Sequence, residues 1–218
     1  MPRILDILLS VIALFLLTPL FIPIVIILLM TGEHKVFYFQ SRVGYRNKHF
    51  KIIKFATMLT NSSSMGAGNL TLKNDPRVLP FGSFLRKTKI NELPQIFNII
   101  IGDLSIVGPR PQMQVSFDQY PEEIRNTIYN VKPGLTGIGS IIFRDEELLI
   151  SLAAEKGNPH SFYQNSIAPY KGELEMWYQT RRSFMLDIQL IVLTAWVIVS
   201  PKSTIYEKWY PDLPKRSF

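Results

Sequence analysis

Three stretches of this chain carry the polar residues best suited to chemistry. The first runs from Asp75-Pro76-Arg77 through Phe81-Gly82-Ser83-Phe84-Leu85-Arg86-Lys87-Thr88 to Asn91-Glu92-Leu93-Pro94-Gln95. Gly102-Asp103-Leu104-Ser105-Ile106-Val107-Gly108-Pro109-Arg110-Pro111 is the second, and Val131-Lys132-Pro133-Gly134-Leu135-Thr136-Gly137 the third. If Asn91 caps a helix, then Glu92, Leu93 and Pro94 fill its first turn, where proline sacrifices no intrahelical N–H bond. The free N–H groups of that turn, at the positive end of the helix dipole, suit an anion. Plain capping with a favourable first-turn acid also accounts for Asn91 and Glu92, and on these residues alone it is preferred. Arg110 stands between Pro109 and Pro111, on a loop with little backbone entropy left to lose. Its guanidinium can grip a phosphate bidentately or stack on a nucleobase. The other account is a turn arginine paired with Asp103, and the flanking prolines favour binding. Arg86 and Lys87 add positive charge beside the helix start, or form a solvated basic face. The chemistry such a set suits is the positioning and charge stabilisation of a phosphate.

The elements that must carry these residues begin with an uncharged apolar run, Ile7 to Gly32, broken only by Pro19 and Pro23. It exceeds the ~20 residues a helix needs to cross a bilayer. Each proline deprives an earlier carbonyl, near Phe15 and near Pro19, of its helical partner. Such groups are costly in lipid unless a hydroxyl answers them, and Ser10 and Thr18 are the hydroxyls in the part of the run around the prolines. A bend at Thr18-Pro19, with Pro23 one turn later, suits a re-entrant helix with Ile7–Met30 entering and leaving one leaflet. An ordinary kinked transmembrane helix is the alternative. Lys35, Arg42, Arg46, Lys48, Lys51 and Lys54 follow the run, so the positive-inside rule puts the body in the cytoplasm in either case. The long apolar region, the weak charge before it and the missing cleavage site argue against a signal peptide. The absence of cysteine fits a cytoplasmic body.

Residues 34–218 suffice for one domain with its own core. The net charge of +7 implies an anionic partner: nucleic acid, lipid headgroups or a phosphorylated substrate. Asn61 to Asn69 is Gly/Ser-rich and reads as a mobile loop. Alternation predicts strands over Val36–Gln40 and Phe50–Phe55, paired around the turn Gly44–Lys48. Helices are expected over Asn91–Ile101, stopped by Gly102, and over Pro121–Val131, stopped by Pro133-Gly134. Asp145–Lys156 should be a helix capped by Asp145, with Leu148, Leu149 and Leu152 on one face. Pro169–Arg182 starts with proline and ends in two arginines, as a helix dipole favours. The last helix, Met185–Ser200, is too short to span. Trp196, Tyr206, Trp209 and Tyr210 mixed with Lys202, Lys208, Lys215 and Arg216 favour an interfacial position, with an aromatic-rich core as the alternative.

Together with the proline-broken amino-terminal helix, the three stretches resemble the bacterial sugar transferase family, the small monotopic phosphoglycosyltransferases. The resemblance runs from the membrane segment to Asp187, and the GDLSIVGPRP stretch beside Phe97-Asn98 makes it specific. It implies a mostly helical α+β fold with a re-entrant helix over residues 1–33 and a cytoplasmic-face transferase domain over 34–218. The implied activity is transfer of a sugar phosphate from a UDP-sugar to a polyprenyl phosphate at the bacterial inner membrane, with magnesium, at the start of surface glycan assembly. Glu92 is then suited to hold magnesium, a hard ion that takes carboxylate and phosphate oxygens. Glu175 aligns where the family commonly carries a metal-side carboxylate, usually the shorter Asp. Arg110, Arg86, Lys87 and Lys54, with Pro109 and Pro111, fall to substrate binding. Membrane lipid is a partner, nucleic acid is not, and a homodimer is compatible with the pattern.

Two departures from the family pattern matter. Lys54-Phe55-Ala56-Thr57-Met58 has Ala56 where a basic residue is usual. Asn91 stands where the family has the aspartate that attacks phosphorus, and a neutral amide cannot do so usefully. The segment after Gly137 also differs; its Asp145, Glu146 and Glu147 either supply a substitute carboxylate or merely start a helix. The sequence therefore predicts a sugar-phosphate transferase with Asn91 and Glu92 at its centre. The rival is a catalytically silent membrane scaffold of the same fold, holding lipid carrier or partner enzymes.

Overall fold

The computed structural model describes residues 1–65 and 74–218. Helix α1 spans Arg3–Met30 and runs through Pro19 and Pro23 as one helix. Thr18 donates its hydroxyl to the Leu14 carbonyl at 2.8 Å, one residue before the Phe15 carbonyl that Pro19 releases. Both ends of α1 are held by the same domain. Near its start, Arg3 donates to the Ile100 carbonyl at 2.9 Å. The buried Asp6 carboxylate accepts from the Ser105 hydroxyl at 2.9 Å and the Ile106 amide at 3.0 Å. Near its end, Ile24 and Leu28 are buried against Phe55 and Leu85. Between these anchors Phe15 is 80% exposed, and its neighbours Ile12 and Leu16 are exposed too. It is the one described helix long and apolar enough to cross a membrane.

The expected hairpin forms. Strands β1 (Phe37–Val43) and β2 (His49–Phe55) are antiparallel, with Phe37 opposite Phe55 and Tyr38 opposite Lys54. β1 continues three residues beyond its predicted end, and the turn is made with Arg46 and Asn47 in the left-handed region. Side chains alternate between faces along a strand, so Tyr38, Gln40 and Arg42 share one face with Lys54 opposite. The predicted loop over Asn61–Asn69 lies partly outside the described residues; Ser62–Ser64 form a short 3₁₀ turn. Helix α2 (Pro80–Lys87) packs so closely on the chain after β2 that a Cβ on Gly82 would lie 2.2 Å from the Thr57 carbonyl oxygen.

Asn91 is not the cap of the next helix. A 3₁₀ turn covers Ile90–Glu92, entered through Lys89 at φ 60°, and α3 begins only at Gln95 with Pro94 in the cap position. Proline cannot donate into a helix, so the regular turns start after Pro94 rather than before it. Gly102 ends α3 in the left-handed conformation, as expected. Asn98 ties α3 to β2, donating to the Lys51 carbonyl at 2.8 Å and accepting from the Ile53 amide at 2.9 Å. Strand β3 (Ser105–Val107), short helices α4 (Gln114–Phe117) and α5 (Glu122–Thr127), and strand β4 (Gly134–Thr136) follow. β3 and β4 are parallel, Val107 opposite Thr136.

The remaining chain is helical: α6 (Ile138–Ile142), α7 (Glu146–Glu155), α8 (Pro159–Phe162), α9 (Ala168–Arg181), α10 (Phe184–Val199) and α11 (Ile205–Trp209). Asp145 precedes α7 but makes no side-chain cap; its carboxylate pairs with Arg216 at 2.7 Å. Leu148 and Leu152 are exposed on α7 while Ile150 and Ala153 face inward. The main core is built on Leu174, Tyr178, Leu186, Leu190 and Leu193 of α9 and α10, against Ile128, Ile138 and Ile167. α10 puts Leu190, Leu193 and Val197 into the core and leaves Val192, Trp196 and Val199 exposed.

Candidate active site

A cavity of about 650 Å³ lies between the hairpin, the 3₁₀ turn before α3, the Arg110 loop and helices α6, α7, α9 and α10. Glu92 is at its centre. Arg110 forks onto the Glu92 carboxylate with contacts of 2.8 and 3.4 Å, and the Lys54 ammonium approaches the same carboxylate at 3.5 Å. Burial raises the Glu92 carboxyl, but Arg110 and Lys54 more than offset this and hold it well below the usual range. Glu92 in turn raises Arg110. Burial, only partly offset by Glu92 and reinforced by Arg42 and Arg110, lowers Lys54 to about 7. Burial and Arg110 together lower Arg42 to about 10. Cations held below their ordinary values recover on meeting an anion. Arg42, Lys54 and Arg110 thus gather around the one Glu92 carboxylate, an excess of positive charge that suits a further anion.

The Arg110 loop is placed by backbone. The Gly108 amide donates to Thr136 at 3.0 Å and the Gly134 amide to Pro109 at 2.9 Å, extending the β3–β4 pairing up to the loop. A Cβ on Gly134 would sit 2.1 Å from the Gly108 nitrogen, so only glycine permits this approach. Tyr129 then braces the loop, donating to the Arg110 carbonyl at 2.9 Å and accepting from the Gln112 amide at 2.8 Å. Glu175 arrives from α9, accepting from the Arg110 amide at 3.4 Å, and Gly139 makes room for it: a Cβ there would be 2.4 Å from Glu175 Oε1. Burial raises Glu175 to about 8, countered in part by the Arg110 amide and Lys171.

Three buried polar atoms lining this cavity have no hydrogen-bond partner: Asn91 Oδ1, Ser140 Oγ and Glu175 Oε2. Orphaned buried polar groups are rare in folded proteins and mark places where a further group belongs. At the far wall Lys171, buried over the Phe143 and Tyr163 rings, pairs with Glu146 at 2.6 Å.

A paired hairpin cation and carboxylate, an arginine between two prolines and an apolar helix anchored at both ends agree with a comparison to known families. The model of the bacterial sugar transferases matches residues 1–201. The chain belongs to that family. The chain is 35% identical over 201 residues to a UDP-glucose:undecaprenyl-phosphate glucose-1-phosphate transferase of Xanthomonas campestris pv. campestris, covering 91% of this chain and 38% of that one. It is 38% identical over 139 residues to a UDP-N-acetylgalactosamine-undecaprenyl-phosphate N-acetylgalactosaminephosphotransferase of Aeromonas hydrophila, covering 63% of this chain and 33% of that one. The exopolysaccharide production protein ExoY of Sinorhizobium fredii is 34% identical over 155 residues, 65% of this chain and 68% of its own. The chain thus spans only 38% and 33% of the lengths of the first two of these relatives. Helix α1 is long and apolar enough to cross a membrane, which associates the chain with one.

Of the residues singled out in the sequence, Asn91, Glu92, Arg110, Lys54, Arg86 and Glu175 line one cavity. Pro109 and Pro111 are buried on either side of Arg110. Lys87 is exposed outside the cavity, and Thr18, Pro19 and Pro23 are exposed on α1. Arg110 pairs with Glu92 and not with Asp103. Among the substitute carboxylates, Glu146 and Glu147 reach the cavity, paired with Lys171 and Arg86, whereas Asp145 faces Arg216 away from it. Arg42, Gln40, Tyr129, Ser140 and Lys171 were missed. Strand alternation after Tyr38 could have flagged Gln40 and Arg42; the other three carry no local signal.

Proposed function

We propose that this protein transfers a sugar-1-phosphate from a UDP-sugar to a polyprenyl phosphate at the cytoplasmic face of the bacterial inner membrane, at the start of surface-glycan assembly. The observation that carries the reading is the Arg110–Glu92–Lys54 cluster facing unpartnered Asn91, Ser140 and Glu175 atoms in one cavity. The names of the relatives, which join a UDP-sugar to undecaprenyl phosphate, support it. Arg110, Lys54 and Arg42 bind and orient the diphosphate. The donor set fits magnesium: Glu92 and the unpartnered Glu175 oxygen are hard ligands, and magnesium is ordinarily held by one or two carboxylates plus substrate phosphates. Bound there, the ion supplies charge neutralisation for the diphosphate.

Asn91 offers a neutral amide that hydrogen-bonds a phosphate oxygen but does not attack phosphorus. Glu92, Glu146 and Glu147 are each ion-paired, and burial raises the Glu175 carboxyl to about 8, which favours its neutral, non-nucleophilic form. The attack therefore falls to an oxygen of the lipid phosphate, which bonds to the sugar-bearing phosphorus as the bond to UMP breaks and its electron pair leaves with UMP. The anchoring of both ends of α1 on one polar domain supports entry and exit through one leaflet, with the bend at Thr18-Pro19. Purified full-length protein, given UDP-sugars, magnesium and undecaprenyl phosphate, should form a lipid-linked diphosphosugar detectable by mass spectrometry. No product with any UDP-sugar would favour the silent scaffold.

A further inference from the structure

A second, mostly apolar crevice of about 420 Å³ opens where α1 ends, between the hairpin and the start of α2. Leu28, Phe37, Phe39, Ala56, Leu79 and Phe81 form its walls. Its polar residues are already satisfied among themselves. Thr31 donates to the Ile27 carbonyl at 2.6 Å, Glu33 accepts from the Thr60 amide at 2.7 Å, and Lys35 donates to the Thr60 hydroxyl at 2.9 Å. No atom lining it is among the described buried polar atoms left without a partner, in contrast to the three orphans of the reaction cavity.

The two spaces share walls. Tyr38 and Met58 line both, and Arg86 brings its guanidinium to 3.7 Å from the Met58 sulfur, so a cation stands where they join. Ala56 faces this crevice and not the reaction cavity. A polar compartment rich in cations, a cation at the throat and an unpolar compartment beside the end of the membrane helix together match one kind of ligand, an amphiphile with an anionic head. An apolar chain gains in proportion to the area covered when it leaves water for such a crevice, and can enter it from bilayer hydrocarbon at little cost because the walls are as apolar as lipid tails.

We propose that the crevice between the end of α1, the hairpin and α2 holds the hydrocarbon chain of the acceptor lipid, its phosphate reaching past Arg86 into the reaction cavity. This rests on the reading of the protein as a lipid-phosphate transferase. The competing route is the α10 wall, where Ile191, Ala195 and Ile198 also line the cavity.

The test uses full-length protein in nanodiscs with a polyprenyl phosphate carrying a diazirine on its chain. Photolabelling should map to the peptides around Tyr38–Phe39, Ala56–Met58 and Leu79–Gly82. Label confined to α10, or no label on the crevice peptides, overturns the proposal. In parallel, Ala56→Phe should lower the ratio of kcat/KM for a long polyprenyl phosphate over that for farnesyl phosphate by about tenfold, or ~1.4 kcal/mol. Ala195→Phe should leave that ratio unchanged. If Ala56→Phe does not fold, Phe39→Ser at an exposed position gives the same readout. An unchanged ratio in a folded crevice variant, or a fall in Ala195→Phe alone, refutes the assignment. Absence of turnover in the wild type counts against the activity, while the labelling still decides where the chain lies.

Discussion

Arg110→Lys should separate catalysis from folding. The arginine fork makes two contacts with Glu92, at 2.8 and 3.4 Å, from a loop braced by Tyr129. Lysine keeps the charge and loses the planar fork, so it can serve Glu92 or the substrate phosphate, but not both with one geometry. Losing one charge-assisted hydrogen bond costs ~1.5–3 kcal/mol, which corresponds to a fall of about 10- to 150-fold in kcat/KM. Lys54 remains beside Glu92, and the Arg110 side chain is already 31% exposed, so the fold loses little. A loss below ~1 kcal/mol moves Tm by no more than about 2–4 °C in a chain of this size. UMP release and differential scanning fluorimetry measure the two effects. Wild-type kcat/KM in the lysine variant would refute the clamp. So would a large drop in Tm with unaltered kinetics.

Glu92→Gln should be nearly inactive while Asn91→Ala keeps part of the activity, since the first removes a carboxylate suited to magnesium and the second only a phosphate hydrogen bond; steady-state rates with and without EDTA check both. Gly139→Ala should fold but turn over slowly, because the added Cβ meets only the movable end of Glu175, whereas Gly134→Ala meets backbone at 2.1 Å and should lose ~3 kcal/mol of stability in denaturant melts. The chain has no cysteine, so Pro2→Cys is a clean topology probe. It should resist an impermeant thiol reagent in intact spheroplasts and react after lysis, and efficient labelling before lysis would establish a spanning helix.

Local patterning carried much of the fold into the sequence. The hairpin was legible because strand alternation and a turn-rich Gly44–Lys48 sit side by side, and Gly102 marked the end of α3 through its left-handed conformation. The start of α3 was misjudged because Asn-Glu-Leu-Pro satisfies the rules for a cap and first turn, yet Lys89 opens a 3₁₀ turn earlier and leaves the Asn91 side chain for the cavity. Leu148, Leu149 and Leu152 were expected on one face of α7, but only Leu149 packs on the core, beside the buried Ile150 and Ala153, while Leu148 and Leu152 are exposed. Cavity residues were legible wherever a stiff or unusual context marked them, as prolines mark Arg110. The ion pairs were not, because Glu92–Arg110, Glu146–Lys171 and Asp145–Arg216 join residues distant in the chain, and only the tertiary fold chooses such partners. Ser140 and Tyr129 gained their roles from burial alone.

The central claim is that a transferase of this family works with asparagine at position 91 and without a phosphosugar bound to the enzyme. The most direct measurement is intact-protein mass spectrometry of wild type mixed with each UDP-sugar, paired with UMP release before and after polyprenyl phosphate is added. The account predicts an unmodified mass, no UMP from donor alone, and robust release once the lipid phosphate is present. A mass increase by one sugar phosphate with the donor alone would contradict direct attack. Inactivity of wild type with every UDP-sugar, restored by Asn91→Asp, would contradict the activity itself.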